Sequence, residues 1–318
     1  MTASLADPAA ADAAAPDPAS RHRLYRRLAD AVLAVGLAAS LLVWHLTASS
    51  LNAREDRNFE QHFTVLVQQI GTALDRYADL AVGVAAIFQS GGDVGREAFR
   101  KHFLSLRMLE RYPALVALDY AELVPAAERD RVEAAARAQG LTGWRIHPEG
   151  ERDVYLPVLY SEPSEQRQAH LGFDAAADAA ARRDMERARD SGQAVLSAPQ
   201  PLPGESAARV LLVRAPVYDS VPVGDSVEAR RQAHRGQVSV VVRAADLMRD
   251  ALTQDDARRY HVHVVDVGED SAPRSGETVV PLFEGPQRAE AAAAVEAGRA
   301  HAQAVQGGGR LWEGRGVR

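Results

Sequence analysis

From Phe59 onward the large apolar residues fall at Phe59, Phe63, Leu66, Ile70, Leu74, Tyr77, Leu80, Val84 and Ile87, in steps of four and three. A 3.6-residue period carries such positions to one face, so the spacing predicts a long amphipathic stalk helix over residues 47–90. A single stripe of this kind packs either on a sheet of its own chain or on the same helix of a second copy, and the spacing leaves both open, a homodimer included. Upstream lies LADAVLAVGLAASLLVWHL, Leu28 to Leu46, interrupted by Asp30 and His45. That is the length of one bilayer span, which predicts a transmembrane helix over 28–46. Arg21, Arg23, Arg26 and Arg27 precede it, placing the N-terminus in the cytoplasm by the positive-inside bias. Residues 1–27, rich in Ala, Pro and Asp, read as a disordered cytoplasmic tail. Ala48, Ser49 and Ser50 after the run leave a cleaved signal peptide as the alternative. The expected location is therefore the inner (cytoplasmic) membrane, crossed once, with everything beyond Thr47 periplasmic or extracellular.

Gly91-Gly92 reads as a turn; GGDV is superficially like the diguanylate cyclase signature, but the residues after Val94 do not continue it. A short helix from Arg96 to about Glu110 leads into LVALDYAELV, WRI, VYLPVLY, AVLS, RVLLVRAPVY, QVSVVV and HVHVVDV. These short runs, bounded by Pro, Gly or charge, predict strands, with helices at Ala126–Gln139, about Asp178–Asp190 and Ala244–Leu252 between them. The fold class is α+β, with one antiparallel sheet or two small ones. The loop from Asp219 to about Asp225 reads as a join, giving a distal lobe over 91–218 and a proximal lobe over 219–318. Beyond an alanine-rich helix past Glu284, the ending GGGRLWEGRGVR carries too many glycines to be expected as a core element.

Composition narrows the chemistry. The 318 residues carry a net charge of −6, no cysteine and a single lysine, Lys101. Thiol nucleophiles, thiolate metal sites and a P-loop lysine are thereby excluded, and no dense basic stripe beyond the N-terminus offers a nucleic-acid backbone its contacts. No HExxH or GxSxG motif occurs. His261 and His263 alternate on a predicted strand without a third ligand at motif spacing, so a solvent-facing strand edge is preferred over a metal site. Gly307 to Gly309 lacks the strand-to-helix context of a phosphate cradle. No cofactor is implied.

The most informative segment is EGERDVYLPVLYSEP, Glu149 to Pro163. As one strand it would project Asp153, Tyr155, Pro157 and Leu159 from a common face, a carboxylate at the head of an apolar wall on which a ligand could stack. The plainer role for Asp153 is local pairing with Arg152 or a backbone amide. Asp174 in HLGFD could cap the following helix.

The ordered set RYPALVALDYAELVPAAERDR, RDVYLPVLYSEP, LGFD, ERARDSGQAVLS, a strand ending APVY, and GQVSVVVRAADLMRDAL resembles the CHASE domain, a sensory module of histidine kinases, cyclases and related receptors. The resemblance covers about Tyr112 to Leu252. It implies two PAS-like α/β lobes after a membrane-leaving stalk helix, with a small-molecule site in the distal lobe. In the plant cytokinin receptors an aspartate corresponding to Asp153 bonds an adenine-type ligand. The resemblance therefore implies Asp153 as polar anchor and Tyr155, Leu171, Gly172, Leu196 and Ser197 along the pocket. After Asp174 the chain departs from the family, with Ala177, Ala179 and Ala181 where serine and proline are usual, although Asp178 could replace the cap.

The functional expectation is a membrane-anchored sensor without enzymatic activity of its own. Either it is the sensory portion of a truncated receptor whose output is a kinase, cyclase or phosphodiesterase, or a stand-alone ligand-binding partner of another receptor. A membrane-anchored enzyme using Asp153 with Asp174 or Glu162 is the remaining alternative.

Overall fold

The computed structural model describes residues 18–90, 94–163, 168–202, 205–219, 226–252, 261–269, 272–273, 280–284, 301–307 and 310–317. The expected N-terminal tail up to residue 17, the Gly91-Gly92 turn, the loop 220–225 and the alanine-rich stretch after Glu284 lie outside them. Helix α1 spans Pro18–Gln89, and the chain divides into two compact units, Met1–Phe59 and Glu60–Arg318.

In the first unit, α1 presents Val32, Leu33, Val35, Leu37, Leu41, Leu42, Val43, Trp44 and Leu46 with more than half of each exposed. Among the described residues no helix is long and apolar enough to cross a membrane. The expected span begins at Leu28 to Ala31, whose side chains lie outside the description.

In the second unit the 3.6-residue stripe of α1 is buried within the chain: Phe63, Leu66, Val67, Ile70, Leu74, Tyr77, Leu80, Val84 and Phe88 are all core. Ile87, expected in this stripe, is only partly buried, and Phe88 takes its place. After α2 (Arg96–Ser105) and α3 (Met108–Arg111), the chain builds an antiparallel sheet in the order β4-β1-β8-β7-β5, with β6 also pairing with β7. Its strands are β1 (Leu115–Glu122), β4 (Val158–Glu162), β5 (Val195–Leu196), β6 (Gln200–Leu202), β7 (Glu205–Tyr218) and β8 (His234–Arg243). Strands β2 (Val124–Pro125) and β3 (Val154–Tyr155) form a separate pair. Helices α4 (Arg129–Ala138), α5 (Ala179–Ser191), α6 (Val227–Ala233) and α7 (Ala244–Ala251) complete this part.

Nearly every residue of the central strands β1 and β8 is buried. On one face α1 and α2 cover the sheet through an aromatic cluster: Phe88 stacks on Tyr120 with centroids 3.9 Å apart, and Phe99 and Tyr160 extend it. Tyr77 Oη accepts a hydrogen bond from the Ala114 amide at 3.0 Å just ahead of β1. Phenolic burial raises Tyr120 well above the ordinary tyrosine range.

The second antiparallel sheet has the order β10-β9-β13-β12, with β11 also on β9. It comprises β9 (His261–Glu269), β10 (Ala272–Pro273), β11 (Val280–Glu284), β12 (His301–Gly307) and β13 (Arg310–Val317). Helix α7 leads towards it from β8, burying Leu247 and Met248 and packing on β7, β8 and β11. Arg76 of α1 ties to Asp250 at 2.5 Å.

Three expectations are corrected here. The join placed at Asp219 is displaced, because β8 re-enters the first sheet between β1 and β7; that sheet therefore draws on the chain from Leu115 to Arg243. The glycine-rich ending forms β13, paired on both sides, with Trp312 buried. At Gly314 it lies against α1, where a Cβ would make ordinary contact with Phe63 and Val67 at 3.4 Å. Finally, β9 is not a sheet edge, since it pairs with β13 on one side and with β10 and β11 on the other. The side chains of His261 and His263 lie outside the description.

Two charges are enclosed in the second sheet. Arg310 Nε and Nη2 donate to Asp266 Oδ1 and Oδ2 at 2.8 and 2.5 Å, a bidentate pair with both side chains buried. Removing one partner leaves the other charge uncompensated. Asp266→Ala is expected to cost about 3–5 kcal/mol, measured as a shift in urea-denaturation midpoint.

At the start of β8, burial pushes the His234 imidazole down to about 4 from 6.5, the Arg189 guanidinium adding to the effect. Between those values the unfolded chain binds the proton and the folded chain does not, so this contribution to stability is present above about pH 6.5 and is lost as pH falls towards 4. The slope of unfolding free energy against pH in that window should flatten in His234→Gln, by up to about 3 kcal/mol over the whole window and less to the extent that solvent reaches the ring.

Candidate functional site

The face of the first sheet opposite α1 is not filled. A cavity of about 500 Å³ lies against β1, β7 and β8, bordered by β6, by the segment around His170 to Ala175 and by the start of α5. The period of two along a strand sends Asp119 into it while Tyr120 turns to α1. The strand register then aligns polar side chains across the sheet: Ser161 of β4 opposes Asp119 of β1, which opposes Ser239 of β8, which opposes Arg214 of β7. Asp119, Ser161, Ser239 and Arg214 are all buried. Gln237, one pleat along from Ser239, also lines the cavity, and the remaining wall is apolar, with Val158, Phe173, Val210, Leu212 and Val241.

The electrostatics are uneven. Ser161 Oγ donates to Asp119 Oδ1 at 2.5 Å, and His170 Nε2 lies 3.3 Å from Oδ2. Arg214 is 3% exposed, and among the described residues its Nε has no hydrogen-bond partner. Burial lowers its pKa, opposed through space by Asp184, Asp119 and Asp178. Burial likewise raises the Asp184 carboxyl, against the pull of Arg214 and Arg187. The Oε1 of Gln237 is likewise without a partner among the described residues, while its amide donates to Ser239 Oγ at 3.4 Å.

None of the residues expected from sequence lines this cavity. The strand predicted over Asp153 to Leu159 is broken at Leu156-Pro157, because Asp174 draws that backbone inward: its Oδ1 accepts from the Leu156 and Ala176 amides at 2.8 and 3.0 Å. Asp153 is left exposed ahead of β3. Tyr155 is buried in a local cluster, its hydroxyl donating to Gly150 O at 2.9 Å with Arg129 over its ring at 5.1 Å. Leu171 joins the same cluster. Gly172 has φ +85°, and a Cβ there would stand 2.2 Å from Arg145 O, so its glycine serves the backbone. Leu196 pairs with Val213, and Ser197 Oγ accepts from the Leu212 amide at 3.0 Å, continuing the β5–β7 ladder.

The buried Asp174 carboxylate is engaged by backbone amides, with Arg152 Nη1 3.2 Å away. Asp178 does cap α5 through the Ala181 amide at 2.7 Å, and Asp178 and Ala181 both line the cavity. Asp119 and Arg214 were not singled out from sequence. Their signal was a charge at the centre of an apolar run, LVALDYAE and VLLVRAPVY, where no solvent-facing position is available.

The CHASE domain model matches residues 92–275, more than half of the chain, and the chain belongs to that family. A probable histidine kinase 6 of Oryza sativa subsp. japonica is 26% identical over 255 residues, covering 76% of this chain and 25% of its own length. The chain thus spans about a quarter of that curated relative. Similar solved structures include an extracellular ligand binding receptor from Desulfohalobium retbaense, with TM-score 0.43, 14% identity, and coverage of 79% of this chain and 39% of that one. Another is the ligand binding domain of the Pseudomonas aeruginosa amino acid chemoreceptor PctC in complex with GABA, with TM-score 0.43, 13% identity, and coverage of 82% and 99%.

Asp119→Ala should lower stability by about 1–3 kcal/mol, because the buried Ser161 hydroxyl loses its acceptor. Asp153→Ala, at an exposed position, should stay within about 0.5 kcal/mol of the parent chain. Parallel urea titrations of the two variants separate these outcomes.

Proposed function

We propose that this chain is a membrane-anchored extracytoplasmic sensor whose first sheet binds a small molecule. The observation that carries the reading is the cavity crossed by the buried row Asp119, Ser239 and Arg214. Its volume is within the range of small-ligand sites, and its walls are apolar with a few convergent polar groups, the usual make-up of such sites. Ligand binding would be read through β1, where consecutive residues face the cavity and α1. A ligand shifts that arrangement only by binding one state better than another. The exposed apolar side chains from Val32 to Leu46 support an anchor that lies in lipid. The output, of kinase, cyclase or phosphodiesterase type, belongs to the receptor in which the module works.

The test is a thermal-shift screen of the full chain in detergent against nucleobases, amino acids, simple carboxylic acids and amines, repeated on Ala121→Phe, which fills the cavity beside Gln237. A compound at a hundred times its Kd should stabilise the chain by about 2.7 kcal/mol, and the effect should vanish in a variant of unchanged far-UV circular dichroism. Stabilisation that survives Ala121→Phe, or none by any compound, overturns the reading.

A further inference from the structure

The cavity is polarised along the sheet, and that polarity specifies what it binds. Resting on the reading of this cavity as the ligand site, we propose that it takes an α-amino acid in its zwitterionic form, carboxylate on Arg214 and ammonium towards Asp119 and Gln237.

The anion end follows from Arg214. Its guanidinium is buried and lines the cavity, and among the described residues no hydrogen-bond acceptor or ion-pair partner meets it. The three carboxylates that act on it through space are engaged elsewhere. Asp184 bonds Arg187 at 2.9 Å, Asp119 accepts from Ser161, and Asp178 accepts from the Ala181 amide. A buried guanidinium with donors unused is costly, and a carboxylate satisfies it bidentately.

The cation end follows from the opposite side of Ser239. There Asp119, with Ser161 on its Oδ1 and His170 Nε2 3.3 Å from its Oδ2, stands beside the Oε1 of Gln237, which among the described residues has no partner. A purely anionic ligand on Arg214 would also face Asp119 and Asp178, both in the cavity wall. A molecule that carries its own cation relieves that repulsion. Two strand spacings, roughly 10 Å between backbones, separate Asp119 from Arg214, so a ligand that meets both must carry its two charges on a small skeleton between their side chains. The apolar wall of Val158, Val210 and Val241 favours an amino acid with an apolar side chain.

The experiment is isothermal titration of the full chain with the common proteinogenic α-amino acids, then with the amine and the carboxylic acid that each lack one pole of the best binder. Saturable binding of an apolar amino acid is expected, with both one-pole analogues at least about tenfold weaker. Arg214→Gln and Asp119→Asn should each weaken it about tenfold or more, while Asp153→Ala should not; circular dichroism confirms that each variant is folded. Asp119→Asn keeps an acceptor for Ser161, so it reports on charge even where Arg214→Gln does not fold. Parent-like affinity in Asp119→Asn or in folded Arg214→Gln overturns the proposal. If no amino acid binds but a neutral or singly charged compound does, and Ala121→Phe blocks it, the amino-acid assignment falls while the sensor reading stands. If nothing in either panel binds, both fall.

Discussion

The buried stripe of α1 is the constraint on which the rest of the second unit depends. Its earlier turns meet the second sheet, with Phe63 and Val67 against Gly314, and its later turns meet the first, through Tyr77 at Ala114 and Phe88 on Tyr120. One helix face therefore serves two sheets that are far apart in sequence. Because α1 occupies one side of the first sheet so closely, the other side is where space is left. β1 connects the two: Asp119 lines the cavity, and the next residue is stacked on the helix.

The two sheets treat buried charge in opposite ways. In the second, Asp266 and Arg310 neutralise each other with matched geometry, and the site is closed. In the first, Arg214 is equally buried but its neighbouring carboxylates are committed to Arg187, Ser161 and a helix amide. A structural ion pair uses up its own hydrogen-bonding capacity, whereas an unmatched buried guanidinium keeps capacity for something else. That contrast within one chain is the physical reason for assigning a structural role to the first pair and a binding role to Arg214.

Several local features were legible because they depend on neighbours in sequence. The helical period of α1 from Phe63 to Val84, the strand character of β1, β7, β8 and β9, and the caps at Asp174 and Asp178 all follow from spacing and side-chain chemistry over a few residues. Family membership was legible in the same way, from the order of motifs. The site residues were not. Asp153 is conspicuous in sequence, a carboxylate at the head of an apolar run, but the strand that would have aimed it inward breaks where Leu156 hydrogen-bonds Asp174, eighteen positions away.

The sequence by itself thus determined the α+β class, the amphipathic helix and the CHASE membership, all of which are written in periodicity and motif order. Tertiary structure decided that the helix stripe is consumed within the chain, that β8 returns to the centre of the first sheet, and that the glycine-rich ending becomes a paired strand. It also decided the site: Asp119, Ser239 and Arg214 lie far apart along the chain and become neighbours only when β1, β8 and β7 pair in register. Strand register is a long-range property, fixed by which faces can be buried together, and no short window of sequence contains it.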